Sequence, residues 1–209
     1  MNTTQRLAWI LLVVATVAGS IGAEFPEQMF LQHVPTVLVI LLLPIVASRV
    51  PLTTSAFMCV VLFMLLHVVG ARYIYSYVPY DQWSEQFFGV SISQKFGFER
   101  NHFDRLVHFA FGTLAVRPAW EVFTKTFAAP PKFAFYGTVE FVLAISLLYE
   151  LFEWGLTLVL SPADAGAYNG QQGDIWDAHR DMSMALLGSV FALLWWRAQV
   201  MFASKRSPN

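Results

Sequence analysis

Long apolar runs, broken by short polar connections, fill most of the chain. A helix crosses a bilayer core of about 30 Å with about 20 mostly apolar residues. Six stretches meet that need: Leu7–Ala23, His33–Ser48, Leu52–Arg72, Asp104–Phe123, Phe135–Leu160 and Asp174–Ala198. The expectation is an all-α, polytopic membrane helix bundle of about six transmembrane helices, one membrane domain over residues 1–209. The second stretch is short and contains Pro44, and the fourth contains Pro118. Proline kinks a membrane helix but is tolerated where neighbouring groups satisfy the freed backbone. The first stretch ends in "SIGA" before Glu24, which resembles a signal-peptidase site. Only Arg6 precedes it as a basic residue, so it reads as an anchor that stays.

The connection over residues 73–103 is not an ordinary polar loop. "YIYSYVPYDQWSEQFFGVSISQKFGF" is dense in aromatic residues, which favour the headgroup level of a membrane. It reads either as an aromatic belt or as a partly re-entrant lid over a site on the outer face.

Basic residues favour the cytoplasmic side of a membrane. With the N-terminus inside, the inner segments hold Arg6, Arg49, Arg117, Lys125, Lys132, Arg197, Lys205 and Arg206. The outer ones hold Arg72, Lys95, Arg100, Arg105 and Arg180. This bias puts both termini in the cytoplasm and the 73–103 loop outside. The composition fits: 56% of the 209 residues are hydrophobic and 13% charged, against about 25% charged in soluble domains. A net charge of −1 offers no basic footprint, so nucleic acid is excluded as a partner. Cys59 is the only cysteine, which excludes an intrachain disulfide and multi-thiolate zinc.

Against this apolar background, ionisable residues gather at the outer ends of three spans. "NHFDRLVHF" opens the fourth, and Asp104 and His108, four apart, share a helix face. "YELFEW" puts Glu150 and Glu153 on one face of the fifth. "GDIWDAHRDM" opens the sixth with Asp174, Asp177 and Asp181 in one stripe. Small residues continue two of these stripes: Gly112 and Ala115 below His108, and Ala185, Gly188 and Ala192 below Asp181. Such seams let membrane helices approach closely, so the acidic faces are expected to meet.

A carboxylate inside a membrane costs about 2.5–3.5 kcal/mol at mid-depth. Three arginines, Arg100, Arg105 and Arg180, cannot neutralise every acid in this group, so it wants a proton or a metal as guest. Asp104, His108, Glu150, Glu153, Asp177 and Asp181 are the candidate catalytic residues. Arg100, Arg105 and Arg180 are the candidate substrate-binding ones. A metal would be held by Glu150, Glu153, Asp177, Asp181 and His108. Oxygen donors with one histidine suit Mg²⁺ or Mn²⁺ better than zinc. Asp174 also reads as a helix cap. His67 either joins the site or satisfies a backbone carbonyl, and His179 points away from the acidic stripe. Glu121 and Glu140 fall toward the other end, near Arg117, Lys125 and Lys132.

"GARYIYSYVP", "RNHFDRLVHFAFG", "YELFEW" and "GQQGDIWDAHRDM" resemble the YjdF-like bacterial inner-membrane proteins from about Gly70 onward. The resemblance implies a six-span inner-membrane protein and brings no reaction with it. A looser similarity is to VanZ-like membrane proteins, with Asp104–His108, Glu150 and Asp177–Asp181 in the places of their acidic pattern. Glu153 stands where that pattern has glutamine and Asp181 where it has an amide, so the antibiotic-related function is not carried over.

No nucleophile motif, P-loop or dinucleotide fingerprint is present. Three functions remain open: binding or processing of a lipid-linked anionic substrate at the outer leaflet with a divalent cation, a proton-coupled transporter, and a non-catalytic scaffold. Crowding of the acids in one leaflet and the lack of inverted-repeat symmetry weigh against transport.

Overall fold

The computed structural model describes residues 1–206, and their side chains except at 163, 164, 167 and 198–206. Lys205 and Arg206, which entered the charge bias, have side chains outside this set. The described residues are helical throughout, in an antiparallel bundle.

Helix α1, Thr3–Ser20, starts at a reciprocal cap in which Asn2 accepts from the Gln5 N–H and Gln5 from the Asn2 N–H. Two of the unpaired donors at the helix start are thereby satisfied. Helix α2, Pro26–Arg49, begins at Pro26 rather than at His33. Proline fits the first turn because its missing N–H has no partner to lose there. The extra turns carry Gln32 and His33 into the protein, where both are buried. Helix α3, Thr54–Arg72, is capped by Thr53.

After α3 the chain folds back on itself. Ile74 and Tyr75 take φ values of 44° and 56°, a left-handed conformation that is costly for residues with a Cβ. The Tyr75 ring then lies on Gly70, where any side chain would strike it. Two short helices, α4 (Tyr80–Phe88) and α5 (Ile92–Phe96), occupy the aromatic connection and end at left-handed Gly89 and Gly97. Asp81 ties them together by accepting from the Ser91 hydroxyl and the Ser93 N–H at 3.0 and 2.8 Å. Phe87 and Phe88 project outward.

Helix α6, Phe103–Glu121, runs past Pro118 into a wider π-helical turn, Val122–Thr126. Helix α7, Pro131–Leu156, turns Ala134, Thr138, Val142, Ser146 and Glu150 inward along one four-residue stripe. It stops at Leu156, short of Leu160. A short helix, α8 (Pro162–Asn169), packs against α2 and α7. Helix α9, Asp177–Arg206, begins after Asp174.

Among the described residues, α1, α2, α3 and α7 are long and apolar enough to cross a membrane. Helices α6 and α9, of similar or greater length, carry the ionisable groups, and α6 sits among α3, α7 and α9. The α6–α9 seam is as close as its small residues suggest. A methyl group at Gly112 would strike the Ala185 carbonyl, and one at Gly188 the Phe109 carbonyl. Thr113 adds a hydrogen bond to the Gly188 carbonyl at 3.3 Å.

One end of the bundle is clamped by Glu121, which accepts from the Thr53 N–H and hydroxyl and from Lys125. Arg117 completes this clamp at 3.5 Å, whereas Glu140 is exposed. All the other ionisable clusters lie at the opposite end.

Candidate functional site

The acidic groups at that end form two layers. The upper layer lies before and at the start of α9. Asp174 Oδ2 is reached by Arg105 at 2.5 Å, Arg180 at 2.7 Å and Arg100 at 3.4 Å. Asp177 Oδ1 takes Arg100 at 2.5 Å and Arg105 at 3.4 Å. Arg100 also donates to the Gly170 and Gln171 carbonyls, so the α8–α9 linker is stitched to the segment ahead of α6. Gln172 and Asn101 exchange two further hydrogen bonds there.

Asp174 therefore does more than cap. Its Oδ1 accepts the Trp176 N–H at 3.0 Å, as a capping residue does, while its Oδ2 anchors three guanidiniums. Burial opposes its ionisation, but the Trp176 N–H and the Arg105 and Arg180 charges hold its carboxyl below the usual carboxylate range. His102, just ahead of α6, shows the other side of this field. Burial and then Arg105, Arg100 and Arg180 push its imidazole down from the ordinary value. Its ring stacks on Phe98 at 4.1 Å.

The lower layer is buried between α6, α7 and α9. Asp104, His108 and Asp181 each offer one ligand atom, and these atoms lie within 4.8 Å of one another. Glu150 joins from α7, with Oε1 3.5 Å from His108 Nε2; Asp104 Oδ1 is 3.7 Å from the same nitrogen. Arg105 Nε, 4.0 Å from Asp181 Oδ1, links the layers. Among the described residues, Asp181 Oδ1 and Glu150 Oε1 are buried and accept no hydrogen bond. Such orphaned acceptors are costly, and together with an imidazole they are the donor set of a hard divalent cation. Oxygen ligands at about 2.0–2.6 Å from Mg²⁺ or Ca²⁺ stand at most about 4–5 Å apart across the ion, close to the separation seen here.

Residues 4–201 match the family described as "Predicted membrane protein (DUF2238)". The chain belongs to this family. It is also 30% identical to the inner membrane protein YjdF of Escherichia coli (strain K12), over 192 residues, 91% of this chain and 86% of that one. No solved structure matches it. The YjdF-like resemblance read from four motifs therefore holds, and the chain is a helical, multi-pass membrane protein.

Of the residues singled out in the sequence, Asp104, His108, Glu150 and Asp181 come together in the buried layer. Asp177 lies one turn above them, engaged by Arg100. The three arginines of the proposed substrate site are themselves bound to carboxylates. Arg100 and Arg105 are 11% and 13% exposed, whereas Arg180 is 53% exposed. Glu153 lies within electrostatic reach of Asp104, Glu150 and Asp181 and has further neighbours of its own. The Tyr149 hydroxyl lies against it, and its backbone carbonyl accepts from Asn169 at 3.1 Å.

His67 does satisfy a backbone carbonyl. Its Nε2 donates to the Gln32 carbonyl at 2.9 Å, which leaves Nδ1 to accept from the Tyr75 hydroxyl. His179 is exposed beside Trp176. The sequence reading missed the polar group around Gln32, His33, Tyr168 and Asn169. Gln32 Nε2 donates to the Tyr168 carbonyl at 3.3 Å, and all four side chains are buried. The one available signal was the pair Gln32–His33 in an otherwise apolar run.

Proposed function

We propose that the buried layer of Asp104, His108, Glu150 and Asp181 binds a divalent cation, Mg²⁺ or Mn²⁺ by its donor chemistry. With this cation the protein engages the anionic headgroup of a membrane lipid or lipid-linked substrate. The supporting observation is the meeting of three ligand atoms within 4.8 Å beside buried, unbonded carboxylate oxygens. A bound cation would supply charge stabilisation for a phosphate or carboxylate oxygen. Arg180 is the guanidinium open to an incoming anion, while Arg100 and Arg105 hold Asp174 and Asp177 in place. Glu150, which the converging ligand atoms of Asp104, His108 and Asp181 do not require, is the group placed to take or give a proton.

The sidedness belongs to the same proposal. The bias of basic residues toward the Glu121 end supports cytoplasmic termini and a site in the outer leaflet.

The test is thermal stability of the purified protein in detergent, titrated with Mg²⁺ or Mn²⁺ against a chelator. A ligand that binds only the folded state raises stability with its concentration over its dissociation constant. The parent is expected to respond, and Asp181→Asn and Asp104→Asn to lose the response. A parent indifferent to both ions and to chelation would defeat this reading.

A further inference from the structure

Beside the cation site, the bundle contains a second buried polar cluster with a different chemistry. It lies between the start of α2, the end of α7 and α8. Gln32 Oε1, His33 Nε2, Tyr168 Oη and Asn169 Oδ1 are all buried there without a hydrogen-bond partner among the described residues. The four side chains are at most 5% exposed, so bulk water does not serve them. Hydrogen bonds bring them to one place. Gln32 reaches the Tyr168 carbonyl, Asn169 follows Tyr168 in the chain, and Asn169 Nδ2 holds the Glu153 carbonyl.

Two of these orphans are amide oxygens, which only accept. No lysine or arginine lies within ion-pair distance of Glu153 among the described residues, whereas Asp174, Asp177 and Asp181 each have an arginine partner and Asp104 and Glu150 have His108. The rings of Tyr149 and Tyr168 border the same region. Neutral acceptors, an unpaired carboxyl and aromatic rings are what a small cation seeks. An anion would find no positive group here.

We infer that this cluster binds a primary ammonium, with Gln32 Oε1, Asn169 Oδ1 and the Glu153 carboxyl as its acceptors. An –NH₃⁺ group presents three donors, and these acceptors match them in number. The inference rests on the adjacent cation site taking the headgroup's anion. Together the two subsites select a lipid that carries phosphate and primary ammonium in one headgroup, a phosphoethanolamine. The phosphate faces the Asp104–His108–Asp181 layer and Arg180, and the ammonium enters between α2, α7 and α8.

The probes are short-chain phosphatidylethanolamine and phosphatidylglycerol with identical chains, added to the detergent-purified protein. Binding is read by native mass spectrometry. The parent is expected to bind the ethanolamine lipid about tenfold more tightly, the scale of one or two hydrogen bonds to a charged group. Glu153→Gln and Gln32→Leu should each erase that preference. Tyr168→Phe, which removes only a hydroxyl, keeps the test usable if either of those variants misfolds, and should weaken the preference in the same direction. Equal affinity of the parent for the two lipids overturns the inference, as does a preference that survives Glu153→Gln. Stabilisation by Mg²⁺ or Mn²⁺ is measured on the same samples. Its absence in the parent would remove the neighbouring cation site while leaving the lipid preference to judge the polar cluster alone.

Discussion

Arg105 Nε stands 4.0 Å from Asp181 Oδ1, while the same guanidinium grips Asp174 at 2.5 Å. One side chain of α6 thus touches both Asp174, ahead of α9, and the buried Asp181 inside it. The upper layer is saturated with arginine and the lower one is not, so added positive charge has one place to go. The predictions below separate the two layers.

Asp174 and Asp181 should behave differently on amide substitution. Asp174→Asn keeps an acceptor for the Trp176 N–H, because asparagine caps about as well as aspartate, but it releases three guanidiniums. It should lower the melting temperature and preserve the response to Mg²⁺ or Mn²⁺. Asp181→Asn should lose the ion response. Melting curves of both variants with and without a chelator distinguish the layers.

Closing the α6–α9 seam to larger residues should open the site. Gly112→Ala or Gly188→Ala forces a methyl group onto a backbone carbonyl of the partner helix. The expected cost is about 1–3 kcal/mol, typical of overpacking. Since Asp104 and His108 ride on α6 and Asp181 on α9, ion stabilisation should weaken as well. Gly155→Ala provides the comparison, since a Cβ there meets nothing and the backbone is helical.

Glu121 provides the control at the other end. Glu121→Gln weakens hydrogen bonds to the Thr53 N–H and hydroxyl and to Lys125. Bonds to a charged group are worth about 1.5–3 kcal/mol, and the value here should sit at the low end because Arg117 and Lys125 are partly solvated. Stability should fall with the ion response intact, as read by the same melting assay.

Acid should act in two windows. The folded-state pKa of His102 lies below its ordinary value, so the unfolded chain takes up that proton first. Stability from this residue is complete above about pH 6.5 and declines as the pH drops from there toward the folded pKa. Replacing it by phenylalanine, which retains a ring on Phe98, should flatten that part of the profile. The Asp174 carboxyl is held low, so its contribution is present above about pH 3.9 and is lost as pH falls through the folded value. Melting temperature against pH for the parent, His102→Phe and Asp174→Asn resolves both windows.

Reporter fusions test the sidedness. A fusion after Lys132 should read cytoplasmic, and one within the Ser161–Gly173 connection should read external. An external reading at Lys132 would reverse the bundle and put the site on the inner face.

The buried layer was legible because membrane helices make ionisable residues conspicuous and helical spacing says which of them share a face. Asp104 with His108, and Asp177 with Asp181, needed no more than that. The arginine pairings were not legible. Arg100 and Asp177 are 77 positions apart, and no periodicity connects a loop before one helix with the start of another. Helix α2 hid its beginning because Gln32 and His33 look like residues of a polar connection until Tyr168 and Tyr75 are known to lie beside them. Helix α8 hid for a related reason: eight residues are too few to show an apolar period, and its burial comes from neighbours distant in sequence.

The stitching of the α8–α9 linker to the segment ahead of α6 also orders events in time. A ribosome delivers Arg100, Asp104, Arg105 and His108 to the membrane long before it makes Asp174, Asp177 and Asp181. During that interval Arg100 and Arg105 lack Asp174 and Asp177, the carboxylates that engage them, which is a poor state to leave at a membrane. Synthesis of the last helix would complete those pairings. A chain stopped before Gly173 would expose α6 as an unfinished, charged span, the kind of defect that membrane quality control can detect, whereas arrival of the acidic stripe quenches those charges in one step.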